Sequence, residues 1–472
     1  MPPEPQGSAH EATSSPAPVS KPTSTSTSTS TPTPAPNPSS TPHHPRKPKK
    51  PTLNPLHQGI QTFMTQHMPH QTDLLSETSL PKRFTIHEPL LLLPVNALTT
   101  PPAWHAFYAA LTAPQRNTLF TTILQSFSRY NLTHVAMNAP IAPTDPVSGT
   151  ENRIRSPGGL IPLYGDFGPL PSPSVSSSQG EGEGEEETLV TRPSPEDLEQ
   201  AFWVRTVQNH GIVQIWAPLY TMFSRGNITE KARILGAEFE GLSEAQLGGQ
   251  GVQEISVVDM YAGIGYFVYS YLRRGVKRVW GFEINGWSVE GLRRGCIENG
   301  WGCRVFQVDG DDGSLLGGCT VRDVVDALKG HDDVRVVVFH GDNRFAARIL
   351  GEVRRCMGEE WARVRHVNLG LLPSSQAAYG NACAILDADM GGWAHVHENV
   401  DVRRIEEKRD EVTAQLGRLR ADVLGVGSAS VAAVAAECHH VEQVKTYAPG
   451  VMHCVFDVRL ASRGEMTASN PS

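Results

Sequence analysis

Residues 255–283 read ISVVDMYAGIGYFVYSYLRRGVKRVWGFE, and this stretch decides the fold. A short apolar run ends in Asp259. A turn with glycines at 263 and 265 follows, then a helix-sized segment over 266–274, then a second apolar run over 278–283 ending in Glu283. That order predicts one parallel strand–helix–strand unit. Glycines let the backbone turn sharply and approach a ligand closely. An acid ending the second strand, about twenty residues on, is placed to accept both hydroxyls of a ribose. Dinucleotide-binding folds share this layout but carry a third glycine. Here the third position is Val268, and Tyr266 and Phe267 crowd the path of a pyrophosphate. A ligand with a nucleoside and an amino acid but no phosphate, S-adenosylmethionine (SAM), fits better.

Reading outward, strands are expected over 304–308, 334–340, 364–371 and 393–397, with a helix over 287–299 and a long polar helix over 402–421. The chain closes on an antiparallel hairpin of 441–447 and 452–460. Alternation of this kind predicts an α/β fold with a mostly parallel sheet covered on both faces. After the apolar strand VRVVVFH stands Gly341-Asp342-Asn343-Arg344. Asp342 and Asn343 either point into the crevice at the strand ends or begin an Asx turn.

Composition divides the rest. Residues 1–55 are Ser, Thr and Pro with almost no large apolar residue, too little to offset the entropy of ordering. Arg46, Lys47, Lys49 and Lys50 close this tail. A second tract over 171–195, with SSSQGEGEGEEE at its core, reads as an acidic flexible insertion, and residues 462–472 as a short disordered tail. Between the tracts, 84–140 holds two helices in PAWHAFYAALTAPQRNTLFTTILQSFSRY. Residues 196–240 hold a helix, a short strand and a further helix from about Thr229, capped by Asn227 or Thr229. Together, residues 84–250 are expected to form a smaller α+β N-terminal domain that binds substrate, ahead of a catalytic domain over 251–461.

The formal net charge of −8 does not announce a nucleic-acid binder, so any such contact must use local basic groups such as Arg273, Arg274, Lys277 and Arg278, or Arg403, Arg404, Lys408 and Arg409. Seven cysteines, all between 296 and 454 and with no CxxC pair, suit a reducing compartment. Cys438, His439 and His440 could face His453 and Cys454 across the hairpin and bind zinc, but packing is the better reading, and no metal is expected. Neither a signal peptide nor a membrane span is visible.

The segments MFSRGNITEKARIL, VVDMYAGIGYF, GFEINGWSVEGLRRG, GDNR, NLGLLPSS, GGWAHVHENV and VKTYAPGVMHCVFDV together resemble the tRNA wybutosine-synthesizing protein 2 family, over residues 151–460. ENRIRSPGGLIPLYGDFGP resembles its fungal branch. The resemblance implies a Rossmann-like SAM-dependent transferase in the cytoplasm, acting as a monomer on the anticodon loop of tRNA(Phe). The reaction it implies moves the 3-amino-3-carboxypropyl group of SAM to C7 of 4-demethylwyosine at position 37. The related guanosine-37 N1 methyltransferases are the alternative. Nitrogen methyltransferases often carry an Asn- or Asp-Pro-Pro-Tyr loop after the fourth strand, and here His340-Gly341-Asp342-Asn343-Arg344 stands there instead. A silent RNA-binding module is disfavoured by the intact Asp259, Gly263, Gly265 and Glu283. By the same resemblance Ser224 and Lys231 contact SAM, Glu283 takes the ribose, and Asp342 and Asn343 lie near the adenine or the methionine end. Lys231, a point cation, suits the SAM carboxylate, and Arg225 beside it suits ligand or RNA phosphate. His395, His397 and Glu398 in HVHENV stand near the crevice, and His397 or Glu398 is a weak candidate for general base.

Overall fold

The computed structural model describes residues 54–70, 75–138, 160–168, 192–223, 227–426 and 435–468. The tail over 1–53, most of the acidic tract, Ser224 and Arg225 lie outside them. The first described element is helix α1, Pro55–His67, and its start is written in its first residues. The Asn54 side chain accepts the Leu56 N–H at 3.0 Å, and proline occupies the first turn, where its missing donor costs nothing.

Strands β1 (Thr85–His87) and β2 (Leu90–Leu93) follow, then helices α2 (Pro102–Ala110) and α3 (Ala113–Ser126), then β3 (His134–Met137) and β4 (Ile161–Tyr164). The four strands form one sheet in the order β1-β2-β3-β4, with only the β2–β3 pair parallel. Ile60, Phe63, Phe120 and Ile123 pack against Leu91, Leu93 and Val135 to give this region its own core. Helix α1 was not anticipated from the sequence, and its first residue, Pro55, falls at the end of the tract read as a disordered tail.

Helix α4 (Pro195–Gln200) and the two-stranded pair β5 (Val204–Val207) and β6 (Val213–Trp216) lead to helix α5 (Ile228–Leu235). The large sheet then begins. Its elements are β7 (Ser256–Asp259), α6 (Val268–Arg274), β8 (Arg278–Glu283), α7 (Gly286–Glu298), β9 (Gly302–Gln307), α8 (Val321–Asp326), β10 (Val334–His340), α9 (Ala346–Met357) and β11 (Val364–Leu369). Helix α10 (Tyr379–Ile385), β12 (Gly392–Asp401), α11 (Ile405–Leu424), β13 (Ala436–Ala448), β14 (Val451–Leu460) and α12 (Arg463–Ala468) complete the chain.

The sheet has eight strands in the order β13-β14-β12-β11-β7-β8-β10-β9. Strands β12 through β9 in that order run parallel, and β14 is antiparallel to both β12 and β13. Alternate residues serve the two faces. Val258, Trp280, Phe282, Val337 and Phe339 enter one buried cluster, while Val257, Val279, Val336 and Val338 enter the other. That double burial is why these strands are continuous apolar runs. The chain leaves β7 toward β8 on one side and later returns to its other side with β11. Strand order thus reverses at β7, and a ligand crevice opens at the strand ends there.

The sequence reading is corrected at the C-terminus. Helix α12 falls within residues 462–472, where no structure was expected. Its start is a reciprocal cap, with Ser462 N–H on Glu465 Oε2 at 2.7 Å and Glu465 N–H on Ser462 Oγ at 3.3 Å. Met466 is buried against Leu424 and Ala461.

The core of the N-terminal region supplies a stability prediction. Phe63 is fully buried, so Phe63→Ala should cost about 3–5 kcal/mol. A denaturant titration followed by circular dichroism reads this directly, and an unchanged midpoint would show that α1 does not belong to the core.

Candidate functional site

Three adjacent strand ends carry the residues singled out above. Asp259 ends β7, Glu283 ends β8, and Asp342 and Asn343 follow β10. Their loops are tied to one another by hydrogen bonds. The Glu283 carboxylate accepts the Gly263 N–H at 2.7 Å on one oxygen and the Asn285 N–H at 2.9 Å on the other. Burial raises its pKa, and those backbone donors oppose the shift. Asn343 Nδ2 donates to the Met260 carbonyl at 2.7 Å. Asp342 Oδ1 accepts the Arg344 N–H at 2.9 Å, which is the Asx-turn reading of this motif. Asn285 then starts α7, its side chain accepting from Trp287 and Ser288 N–H.

The glycine turn is conformationally demanding. Gly263 and Gly265 have φ of +53° and +86°. A Cβ on Gly265 would lie 2.5 Å from the Tyr269 ring, so this turn admits no side chain there. Asp259 sits beneath it, fully buried. Its Oδ1 accepts from Tyr261 N–H at 3.2 Å and Asn368 Nδ2 at 3.3 Å. Burial, reinforced by the Glu283 charge, pushes its carboxyl up to about 7. Asp259 Oδ2 and Asn368 Oδ1 are buried with no hydrogen-bond partner.

Lys231 comes from outside the sheet, on α5. It is buried, and its ammonium donates to Gln214 Oε1 at 3.2 Å and faces the Tyr266 ring at 5.0 Å and the Phe223 ring at 6.0 Å. Gln214, Tyr266 and Lys231 line one pocket with Ile212 and Ser270. The Tyr266 hydroxyl donates to the Met222 carbonyl, which ties the segment preceding α5 to the glycine turn. Burial alone pulls the Lys231 pKa down to about 7. Among the described residues no carboxylate stands within ion-pair distance of it.

His395, His397 and Glu398 of HVHENV are buried within β12. His397 Nδ1 lies 3.0 Å from His453 Nε2, and burial holds its pKa well below the ordinary value. Glu398 Oε1 accepts from Ser374 Oγ at 2.8 Å, Ser375 N–H at 3.4 Å and Tyr379 OH at 2.8 Å. That fastens the loop after β11 to β12.

The basic clusters are largely engaged. Arg274 serves the Leu235 and Gly236 carbonyls, and Arg278 is buried beside Trp280. Arg403, Arg404 and Arg409 pair with Asp401, Glu407 and Glu406. The hairpin register sets Cys438 opposite Val458 and Cys454 opposite Gln443, so the two thiols do not meet. Among the described residues no group of three His, Cys, Asp or Glu is placed to hold a metal ion, and no helix is long and apolar enough to cross a membrane.

Sequence reasoning missed Gln214, Tyr266 and Asn368 as site residues. Tyr266 and Asn368 stood inside quoted motifs, whereas Gln214 carried no signal beyond its place in a short strand.

A parallel sheet with a glycine turn, an acid on the next strand and an unpaired buried cation defines a nucleoside-binding α/β transferase fold. No family model matches the chain. The tRNA wybutosine-synthesizing protein 2 of Schizosaccharomyces pombe is 34% identical over 390 residues, covering 82% of this chain and 75% of the relative. That of Saccharomyces cerevisiae is 30% identical over 405 residues, covering 80% and 74%. This chain belongs to the tRNA wybutosine-synthesizing protein 2 family. Among solved structures, TYW2 of Pyrococcus horikoshii in complex with MeSAdo is similar at 16% identity and a TM-score of 0.46, covering 85% of this chain and 97% of that one.

Glu283→Ala should weaken binding of SAM and of methylthioadenosine alike, since both carry the ribose. The loss of a charged acceptor, about 1.5–3 kcal/mol, corresponds to roughly ten- to a hundredfold in affinity. Calorimetric titration with each ligand measures it, and unchanged constants would remove Glu283 from the ribose site.

Proposed function

We propose that this chain transfers the 3-amino-3-carboxypropyl group of SAM to C7 of 4-demethylwyosine at position 37 of tRNA(Phe), in wybutosine biosynthesis. The observation that carries the reading is Lys231. A lysine buried this way is stable as an ammonium only beside an anion, and the described chain offers none. The carboxylate of the transferred group is an anion of the right size, entering from the ligand.

When bound, SAM supplies a sulfonium whose aminocarboxypropyl carbon is open to attack, and methylthioadenosine leaves. The residues of this chain hold the geometry. Glu283 accepts the ribose hydroxyls, and Asp342 and Asn343 lie near the adenine or the methionine end. Gly263 and Gly265 bring the backbone against it. Asp259 braces the turn from below, and Ser224 is assigned to the same ligand from the family motif. Lys231 holds the carboxylate at the far end. With both ends fixed, the chain between them lies in line with the incoming ring carbon at about 3–3.5 Å. A methyl transferase would leave that chain at rest and present the methyl instead. The sulfonium is already a good leaving group, so the reading needs no metal. His397, whose Nε2 is buried without a hydrogen-bond partner, and Glu398 stand as the candidates to accept the proton that C7 loses as the new bond forms. The substrate is read as the anticodon loop, met by a monomer in the cytoplasm.

Three outcomes check this. Incubation with SAM and tRNA carrying the tricyclic precursor should yield methylthioadenosine; S-adenosylhomocysteine instead would mean methyl transfer. Lys231→Ala should keep its circular-dichroism spectrum and bind methylthioadenosine normally, while losing SAM affinity and about a hundredfold in rate. Equal losses for both ligands would end the carboxylate assignment. The third outcome concerns pH. Burial lowers the Lys231 pKa to about 7, so above that pH the empty site holds a neutral amine. A bound carboxylate favours the ammonium, and binding therefore takes up a proton. SAM affinity should fall as pH rises above about 7, while methylthioadenosine affinity stays flat. Calorimetry in buffers of different ionisation enthalpy reads the proton uptake, which Lys231→Ala should abolish.

A further inference from the structure

Helix α5 reaches the sheet through a buried chain of polar groups that the assigned site does not use. Arg233 donates through Nε and Nη2 to Glu230 at 2.9 and 2.8 Å, and through Nη1 and Nη2 to Asp457 on β14 at 2.5 and 3.1 Å. Asp457 Oδ1 lies 2.7 Å from His395 Nδ1 on β12. His395 Nε2 lies 2.9 Å from His366 Nδ1 on β11, and His366 Nε2 lies 3.0 Å from the Gly241 carbonyl. Glu230, Asp457, His395 and His366 are all at most 1% exposed. Phe239 stacks on His395 at 4.7 Å and lies under Arg233 at 4.8 Å, which closes the cluster from the side.

The protons of this chain can be counted. A carbonyl only accepts, so His366 Nε2 carries a hydrogen toward Gly241. Burial holds His366 neutral, far below its ordinary pKa. Its Nδ1 therefore accepts, and His395 Nε2 donates to it. The other nitrogen of His395 faces a carboxylate oxygen, which also only accepts. Burial would raise the Asp457 carboxyl, but His395 and Arg233 outweigh it and hold it well below the usual range. His395 Nδ1 therefore donates as well, and the ring carries two hydrogens and a positive charge. Burial raises the Glu230 carboxyl, but both its oxygens accept from Arg233, which favours its ionised form. Two anions and two cations then cancel, which a buried cluster requires.

We propose that doubly protonated His395 closes a charge-balanced cluster with Asp457, Arg233 and Glu230. This cluster seats α5 on the sheet and so aims Lys231, next in the helix to Glu230. Asp457 and His395 are positioning residues for the carboxylate clamp. The second half of this inference rests on the reading of Lys231 given above; the first does not.

The test has two arms. Nitrogen NMR of the full chain with labelled histidine, and no ligand, reads the ring of His395, assigned by the signal lost in His395→Gln. Both nitrogens should resonate as protonated; one unprotonated nitrogen would overturn the charge assignment, whatever Lys231 does. In the second arm, Asp457→Asn should lower SAM affinity about tenfold, the effect of loosening one end of a two-point hold, and leave methylthioadenosine affinity within about twofold. Equal losses, or none, would overturn the positioning role. Should Asp457→Asn fail to fold, Arg233→Lys keeps the charge, loses the planar fork, and is read against the same ratio. If Lys231→Ala itself does not separate the two ligands, the carboxylate reading fails while the NMR result stands.

Discussion

A lysine ammonium taken out of water needs an anion, and around Lys231 the described chain provides an amide oxygen and two aromatic faces instead. Those contacts do not remove the cost of burial, which pulls the Lys231 pKa down to about 7. Everything about the surroundings of Lys231 reads as arranged to keep that deficit in place. Tyr266 ties the incoming segment to the glycine turn, and Ile234 is fully buried on the same helix. An anion arriving with the ligand would therefore find a site already shaped and already short of one charge.

The strand ends that carry Glu283 and Asn343 solve a different problem. Loops that leave parallel strands tend to separate, because the sheet's hydrogen bonding stops at the strand ends. Glu283 counters this by taking one backbone N–H from the loop after β7 and one from the loop after β8. Asn343 does the same between β10 and β7 by donating to Met260. Residues read from the sequence as ligand contacts thus also brace the apo crevice. A carboxylate with two oxygens has lone pairs enough for both tasks.

The catalytic sheet was legible because its strands are buried on both faces. Val334–His340 and Arg278–Glu283 coincide with the runs expected from the sequence, since an apolar run between turn signals leaves little freedom in its limits. Helix α1 was illegible for the opposite reason: its apolar residues stand just past a Pro-rich tail and find their partners in α3 and the small sheet. The cap of α12, a Ser three residues before a Glu, was a readable signal that composition hid. The surroundings of Lys231 were not readable at all. Its amide partner lies seventeen residues away in a four-residue strand, and the arginine beside it pairs with an aspartate 224 residues further on. Pairings over such distances are set by topology, and no local pattern encodes them.

On the proposed reading, group selectivity follows from how the nucleoside end and the carboxylate end are built. Nothing in the crevice distinguishes the three carbons on a sulfonium by reactivity, so the choice must come from where each is held. An enzyme that fixes only the nucleoside leaves the methionine chain free to rotate, and attack then falls on whichever carbon diffuses into line. A second fixed point on the carboxylate removes that rotation. The second point must also be rigid, because in-line geometry tolerates little displacement. A short helix of eight residues is a poor platform by itself, since helices this short have little intrinsic stability. Bidentate pairing of Arg233 with Asp457, on a strand in the middle of the antiparallel part of the sheet, gives that helix the stiffness of the sheet. On the reading proposed above, these buried charges are the means by which a flexible lysine becomes a fixed point.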